Sequence, residues 1–191
     1  MAGQIIEYST RNNETFSGYL SKPNEEGSFP GILLITAIFG VDDEMKELAD
    51  AWANDGFIVS VPDIFWRQVP GLTADIEVAK GRMNDFDPDQ GMRDIEDLIA
   101  NLRNNKECNG KVGVLGFCFG GRYVHLSAAR LDINGGASFH GAFIGKHLDE
   151  TSNIKCPVSH HFGGDDPVVP MEEVNAIREA YGKLSLSLIH I

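Results

Sequence analysis

The stretch KVGVLGFCFGGRY, residues 111–123, decides the fold. Its apolar run at 112–115 predicts a buried strand, and a helical pattern follows the glycines. Gly116 and Gly120 stand two positions before and two after Cys118, where a sharp turn would press the backbone against itself. Only glycine or a residue nearly as small fits there. The stretch therefore predicts a strand–turn–helix unit with Cys118 at its apex.

A cysteine at this apex is placed to act as a nucleophile. The N–H groups at the start of the helix would face the sulfur, so we expect them to lower the thiol pKa. The N–H of Phe119 would donate to the oxyanion that forms on the substrate carbonyl oxygen when the sulfur attacks. The alternative is a buried structural cysteine in a glycine-rich turn. Cys108 and Cys156 have no such surroundings and are interpreted as structural or incidental.

Outward from this turn, strand and helix patterns alternate along the chain. Residues 4–8 and 15–20 predict an antiparallel hairpin, and the continuous apolar run at 31–39 predicts a strand buried on both faces. Further strands are predicted at 57–61, 112–117, 136–139 and 157–162, and helices between Asp42 or Asp43 and Gly56, at 75–86, 91–102 and 119–130, and from Pro170 to about Gly182. The pattern predicts an α/β-hydrolase-like fold, with a mostly parallel central sheet, helices on both faces and an N-terminal antiparallel hairpin.

Two further segments follow predicted strands, where the working groups of such sheets lie. HFGGDDPVVP, residues 161–170, offers Asp166 as the acid that orients an imidazole. Asp165 is the neighbouring alternative, and a helix N-terminal cap is the other interpretation of either residue. The loop in ITAIFGV, residues 35–41, offers the N–H of Ile38 as a second oxyanion donor.

Composition limits the partners and the compartment. The chain has 191 residues, a net charge of −12 and three cysteines. An acidic chain is a poor partner for nucleic acid or anionic lipid, so we expect neither as a partner. The odd cysteine count and the N-terminus, which has no apolar signal segment, favour free thiols in the cytoplasm.

Taken in order, ITAIFGVDDEM, VPDIFWRQVPG, KVGVLGFCFGGRY and HFGGDDPVVP resemble the dienelactone hydrolases, or carboxymethylenebutenolidases. The resemblance implies a Cys–His–Asp triad that opens lactones or cleaves activated esters without a metal or other cofactor. Cys118 matches the nucleophile and Asp166 the acid. Arg67 matches an arginine that binds the substrate carboxylate, a role that suits a bidentate guanidinium; the alternative is a solvated surface arginine.

The chain departs from the family pattern at two places. Ala37 stands where the family carries a glutamate, which puts dienelactone itself in doubt as the substrate. The family histidine should follow the acid by about thirty residues, and the sequence offers no match. His140 matches a family tyrosine and is expected to line the pocket, with a stand-in base as the alternative. Of the other histidines, His125 is interpreted as a packed helix residue and His147 as a surface-loop residue. His160 and His161 are interpreted as strand residues that do not form a metal site, and His190 lies in the last six residues.

The last six residues, LSLIHI at 186–191, break every earlier pattern. They match the translation of an adapter used in sequencing libraries, so we interpret them as a non-native tail. On this hypothesis residues 1–185 form a single domain that is incomplete at its C-terminus. The catalytic histidine then lies outside the sequence, and the 191-residue chain is inactive. The alternative is a genuine short C-terminal strand.

Two other functions stay open. A hydrolase fold can serve as a non-catalytic receptor for a small ligand. A DJ-1-like protein with an oxidisable cysteine also has a comparable turn, but it usually carries histidine directly after the cysteine, where this chain has Phe119.

Overall fold

The computed structural model describes residues 3–182 and 188–190. The backbone divides into two compact units, residues 1–113 and 114–191. Each unit contains both strands and helices.

The first unit begins with the predicted hairpin. Strands β1 (Gln4–Ser9) and β2 (Thr15–Ser21) pair antiparallel through a turn in which Asn13 has φ 61°. Strand β2 pairs antiparallel with β4 (Ile58–Pro62), and β3 (Phe29–Ile35) pairs parallel with β4. The apolar runs predicted to be buried on both faces are buried: Leu33, Leu34 and Ile35 in β3, and Ile58, Val59 and Val61 in β4.

The helices of this unit start where acidic side chains cap them. Helix α1 (Asp43–Asn54) begins after Asp42, whose carboxylate accepts the Met45 N–H at 2.8 Å. Helices α2 (Ile76–Asn84) and α3 (Pro88–Arg103) begin after Asp75 and Asp87, which cap them in the same way. Proline in the first turn of α3 explains why this helix starts three residues earlier than its apolar stripe indicates.

Strand β5 (Cys108–Phe117) runs from the first unit into the second. Then follow α4 (Phe119–Arg130), β6 (Gly135–Phe139), a 3₁₀ segment (Ile144–Asn153), β7 (Val158–Phe162) and α5 (Met171–Gly182). Strands β6 and β7 pair in parallel, and α4 packs on β6. His147, predicted to lie in a surface loop, has non-helical backbone angles at a kink within the 3₁₀ segment.

The C-terminal hexapeptide is described only in part. The backbone of residues 188–190 forms a short strand β8 (Leu188–His190), which pairs in parallel with β7. A strand is the structure that the alternative interpretation of this segment predicts. An apolar segment of any origin can pair with a sheet edge, so the origin of the hexapeptide and the single-domain assignment of residues 1–185 stay predictions.

Candidate active site

Cys118 sits at the apex of the turn between β5 and α4 in a strained backbone conformation. Its φ of 50° and ψ of −109° are unusual for a residue with a side chain. Three backbone hydrogen bonds hold it there. The Cys118 N–H donates to the Phe139 carbonyl at 3.0 Å, and the Cys118 carbonyl accepts from Gly121 at 3.0 Å and Ala142 at 3.1 Å. The turn is therefore fixed by the end of β6 and by the loop that follows it.

The glycines around the turn are required by space. A Cβ on Gly116 would lie 2.3 Å from the carbonyl oxygen of Gly120, which confirms the predicted crowding across the turn. A Cβ on Gly121 would lie 2.5 Å from the Cα of Gly141. The Ser138 hydroxyl also binds this part of the turn, because it donates to the Gly121 carbonyl at 3.1 Å. The sequence analysis missed Ser138 and Gly141, because neither is adjacent to the motif.

The electrostatics of the thiol correct one expectation. The Phe119 N–H donates toward the sulfur, as predicted, and together with the Arg122 charge it acts to lower the thiol pKa. Burial of the half-buried sulfur nevertheless raises the pKa of Cys118 above its ordinary value, and the Asp166 charge raises it further. The Phe119 N–H therefore acts on the thiol pKa in the expected direction, but desolvation of the thiolate outweighs it, so the pKa is raised and not lowered.

Asp166 lies in the same unit, on the loop after β7. One oxygen of its carboxylate accepts the N–H groups of Val168 at 2.8 Å and Val169 at 3.3 Å. These bonds close a side-chain turn in the loop before α5, which begins only at Met171, so Asp166 is not the helix N-terminal cap of the alternative interpretation. Its second oxygen accepts no bond from any described residue, and its charge acts on the Cys118 sulfur. Asp165 is exposed.

Among the described residues, no histidine hydrogen-bonds to Cys118 or Asp166. His125 is buried, its Nδ1 2.6 Å from the Tyr181 hydroxyl and its Nε2 3.0 Å from the His147 carbonyl. His161 stacks on Phe139, with ring centroids 4.4 Å apart. His140 is exposed after β6 and has φ 41°. His147 lies beside Glu150, and His160 is buried in β7.

His140 is thus placed at the carboxyl end of β6, as expected, and its ring lies 6.1 Å from that of Phe117. Its role as a pocket residue stays a prediction. The side chain of His190 lies outside the described residues.

In the first unit, Arg67 is committed to protein carboxylates. Its Nε and Nη2 donate to Asp94 at 2.8 and 3.0 Å, and its Nη1 and Nη2 donate to Glu14 at 2.9 and 2.6 Å. The guanidinium also stacks on Trp66 at 3.9 Å. Four of its five N–H groups are used, so a substrate carboxylate would have to displace Asp94 or Glu14. The geometry favours a structural role, and the substrate-binding role stays a prediction.

A second arginine that sequence reasoning missed is Arg82 in α2. Its guanidinium is buried and donates to the carbonyl of Ile38, the residue predicted to supply an oxyanion N–H. One weak signal was available, since Arg82 follows Ala79 by three residues and so shares the buried face of the helix.

A cysteine in a strained turn between a strand and a helix, with a backbone N–H at its sulfur, is an arrangement typical of the α/β-hydrolase class. The sequence model of the dienelactone hydrolase family matches residues 16–188, and the chain belongs to this family. The chain is 29% identical over 196 residues to a carboxymethylenebutenolidase from Pseudomonas putida, covering 100% of this chain and 83% of that one.

Solved structures agree with the fold. A dienelactone hydrolase-like promiscuous phosphotriesterase from metagenomic libraries superposes with a TM-score of 0.82 at 22% identity, over 100% of this chain and 82% of that chain. An esterase from Pyrococcus furiosus gives a TM-score of 0.75 at 18% identity, over 98% and 82%. The predicted α/β-hydrolase fold class is confirmed.

The described residues contain neither a metal-binding cluster nor a membrane-spanning helix. No group of three His, Cys, Asp or Glu side chains in that part of the chain is arranged to hold a metal ion. No helix within it is long and apolar enough to cross a membrane.

Proposed function

We propose that the protein hydrolyses lactones or small activated carboxylic esters, with Cys118 as the nucleophile. The observation that carries the proposal is the Cys118 turn. Its left-handed backbone, at the start of α4, brings the sulfur to the Phe119 N–H. The family's hydrolase chemistry supports the same reaction, and the acidic chain suits an uncharged small molecule more than nucleic acid or lipid.

In the proposed reaction, the thiolate of Cys118 attacks the acyl carbon and a tetrahedral oxyanion forms. The N–H groups of Phe119 and Ile38 stabilise that oxyanion. The C–O bond then breaks, the alcohol oxygen takes a proton from an imidazolium, and a thioester remains. In a lactone the alcohol stays attached to the acyl chain. Water then attacks the thioester, releases the acid and restores the thiol.

Asp166 is proposed to orient the imidazole and stabilise its charged form. Its unbonded oxygen and its electrostatic effect on Cys118 support this role. The histidine itself is unassigned. Cytoplasmic location and the absence of a cofactor also belong to this proposal.

We propose that uncharged esters are better substrates than esters that carry a carboxylate. Arg67 is occupied by Asp94 and Glu14, and Ala37 takes the place of the family glutamate. Apolar side chains are exposed on the loop after β3 and on the segment before α2: Phe39, Val69 and Leu72. Such residues suit the apolar part of a small ester.

The first test is acylation of the thiol by p-nitrophenyl acetate in alkaline buffer. We expect a burst of p-nitrophenolate and an acetyl group on the peptide that carries Cys118. Cys118→Ala should abolish both, whereas the matched controls Cys108→Ala and Cys156→Ala should keep them. Acetylation that persists in Cys118→Ala would refute the nucleophile. Binding of the ester with no acylation in the unmodified protein would favour the receptor function.

A further inference from the structure

The buried guanidinium of Arg82 ties two loops of the first unit together. Its Nε and Nη2 donate to the Ile38 carbonyl at 2.8 and 2.5 Å. Its Nη1 donates to the carbonyls of Gly71 at 2.7 Å and Val69 at 3.1 Å. The residue is 1% exposed. An arginine in this position serves three backbone carbonyls and no solvent.

Other contacts brace the same two loops. Asp63, itself buried, accepts the Gly71 N–H at 2.6 Å, and the Thr73 N–H donates to the Phe39 carbonyl at 3.0 Å. The guanidinium lies over the Phe65 ring at 4.6 Å. Gly40 has φ 94°, and a Cβ there would lie 2.8 Å from the Gly71 carbonyl oxygen and 3.2 Å from Arg82 Nη2. The loops therefore meet with no room for adjustment.

The charge of Arg82 is costly to bury. Desolvation lowers the pKa of its guanidinium, and the nearby Asp63 charge opposes that shift. Simple packing would use an apolar side chain, because an unneeded buried charge lowers stability. What only a guanidinium supplies here is a fork of donors that binds the carbonyls of both loops at once.

We propose that Arg82 is a positioning residue for the oxyanion hole. By holding the Ile38 carbonyl, it fixes the backbone of the loop from which Ile38 presents its N–H. An oxyanion donor acts only when it is already in place as charge develops, so freedom in this loop would slow acyl transfer. The inference rests on the proposed function, since Ile38 is an oxyanion donor only in that reaction.

The test separates two reactions of the same thiol. Acetylation by p-nitrophenyl acetate passes through a tetrahedral oxyanion, whereas alkylation by iodoacetamide is a displacement that forms none. In Arg82→Met we expect acetylation of Cys118 to slow by about tenfold to a hundredfold, less than the loss of a whole oxyanion donor. Alkylation should keep its rate. The ester is uncharged, so loss of an anion-binding arginine could not produce this result.

The control is Arg93→Met. Arg93 is exposed on α3 and, among the residues that the structure describes, donates only to Gln90, so both rates should match those of the unmodified protein. Arg82→Lys, which keeps the charge but not the fork, should give an intermediate acetylation rate and carries the test if Arg82→Met does not fold. Equal acetylation in the variants and the unmodified protein would overturn the inference, as would equal slowing of both reactions. Failure of the proposed function gives a different result, because the unmodified protein itself would then not be acetylated on Cys118.

Discussion

The backbone at Cys118 and the backbone at residues 38–40 are both held in one conformation, but by different means. Cys118 is held partly by its neighbours in the chain, because Gly116 and Gly120 lie against each other across the turn, and partly by hydrogen bonds to Phe139 and Ala142. Residues 38–40 are held by Arg82, which lies more than forty positions further along the sequence. The glycine constraint at Cys118 is therefore visible as a motif, whereas the contacts of Arg82 are not.

The largest effect is expected from breaking the turn. In Gly116→Ala the new methyl group would lie 2.3 Å from the Gly120 carbonyl oxygen, a backbone contact that cannot move aside cheaply. We expect the free energy of unfolding to fall by about 3 kcal/mol and acetylation of Cys118 to be lost. Urea denaturation and the acetylation rate measure this. Gly81→Ala, inside α2 with nothing within 4 Å of its Cβ, is the control and should not destabilise. Unchanged stability in Gly116→Ala would contradict a sterically fixed turn.

A smaller loss is expected from the other member of the comparison. In Gly40→Ala the side chain meets both an unfavourable φ of 94° and the Gly71 carbonyl, so the free energy of unfolding should fall by about 2 kcal/mol. Acetylation should slow more than alkylation. Gly56→Ala is the control, because Gly56 also has φ 94° but the nearest atom to a Cβ there is 4.0 Å away. This variant should lose stability without a change in the acetylation rate. Equal acetylation rates in the two variants would show that the loop is not a constrained element.

Arg67 sharpens the contrast, since its partners are carboxylates and not backbone carbonyls. Arg67→Ala leaves the carboxylate of Asp94, whose side chain is 5% exposed, without its charged partner. We expect a loss of about 1.5 kcal/mol in the free energy of unfolding, discounted for the solvent that reaches Arg67. KM should change by the same factor for neutral and carboxylate-bearing esters. A rise of tenfold or more for the anionic ester alone would restore the substrate-binding role. Arg11→Ala, at an exposed ion pair, is the control and should have little effect on stability or KM.

The smallest effect concerns the charge around the thiol. Burial raises the pKa of Cys118, so its thiolate is scarcer at neutral pH than that of an ordinary thiol. The alkylation rate should therefore keep rising with pH beyond the pKa of an ordinary thiol. Removing a negative charge in Asp166→Asn should shift the midpoint down, and removing a positive charge in Arg122→Met should shift it up. The pH profile of the iodoacetamide reaction measures all three. A midpoint below the ordinary thiol pKa in the unmodified protein would show that the helix N–H groups outweigh burial.

Much of the fold was predictable from the sequence, because local patterns specify it. Apolar runs predicted the buried strands β3 and β4, and turn residues predicted the hairpin of β1 and β2. Asp42, one of the two predicted caps, sets the start of α1. The ends of α2 and α3 were less accurate, because capping overrides the span of the apolar stripe.

The site was predictable only where it is local. The position of Cys118, the crowding of Gly116 against Gly120 and the N–H at the sulfur all follow from consecutive residues. The thiol pKa did not follow, because it sums the burial of the sulfur with charges from distant parts of the chain. The partners of Arg67 could not be predicted either, since Glu14 and Asp94 lie far from it in sequence.

By itself, then, the sequence determined the family, the alternation of strands and helices, and the residue at the apex of the turn. These depend on periodicity and on steric limits between near neighbours, which a sequence states directly. Tertiary structure alone decided which arginine is tied to carboxylates, which one is buried against backbone carbonyls, and in which direction the pKa of the Cys118 thiol is shifted. Hydrogen-bond partners and desolvation depend on distances in space between residues far apart in the chain, and no local pattern encodes those distances.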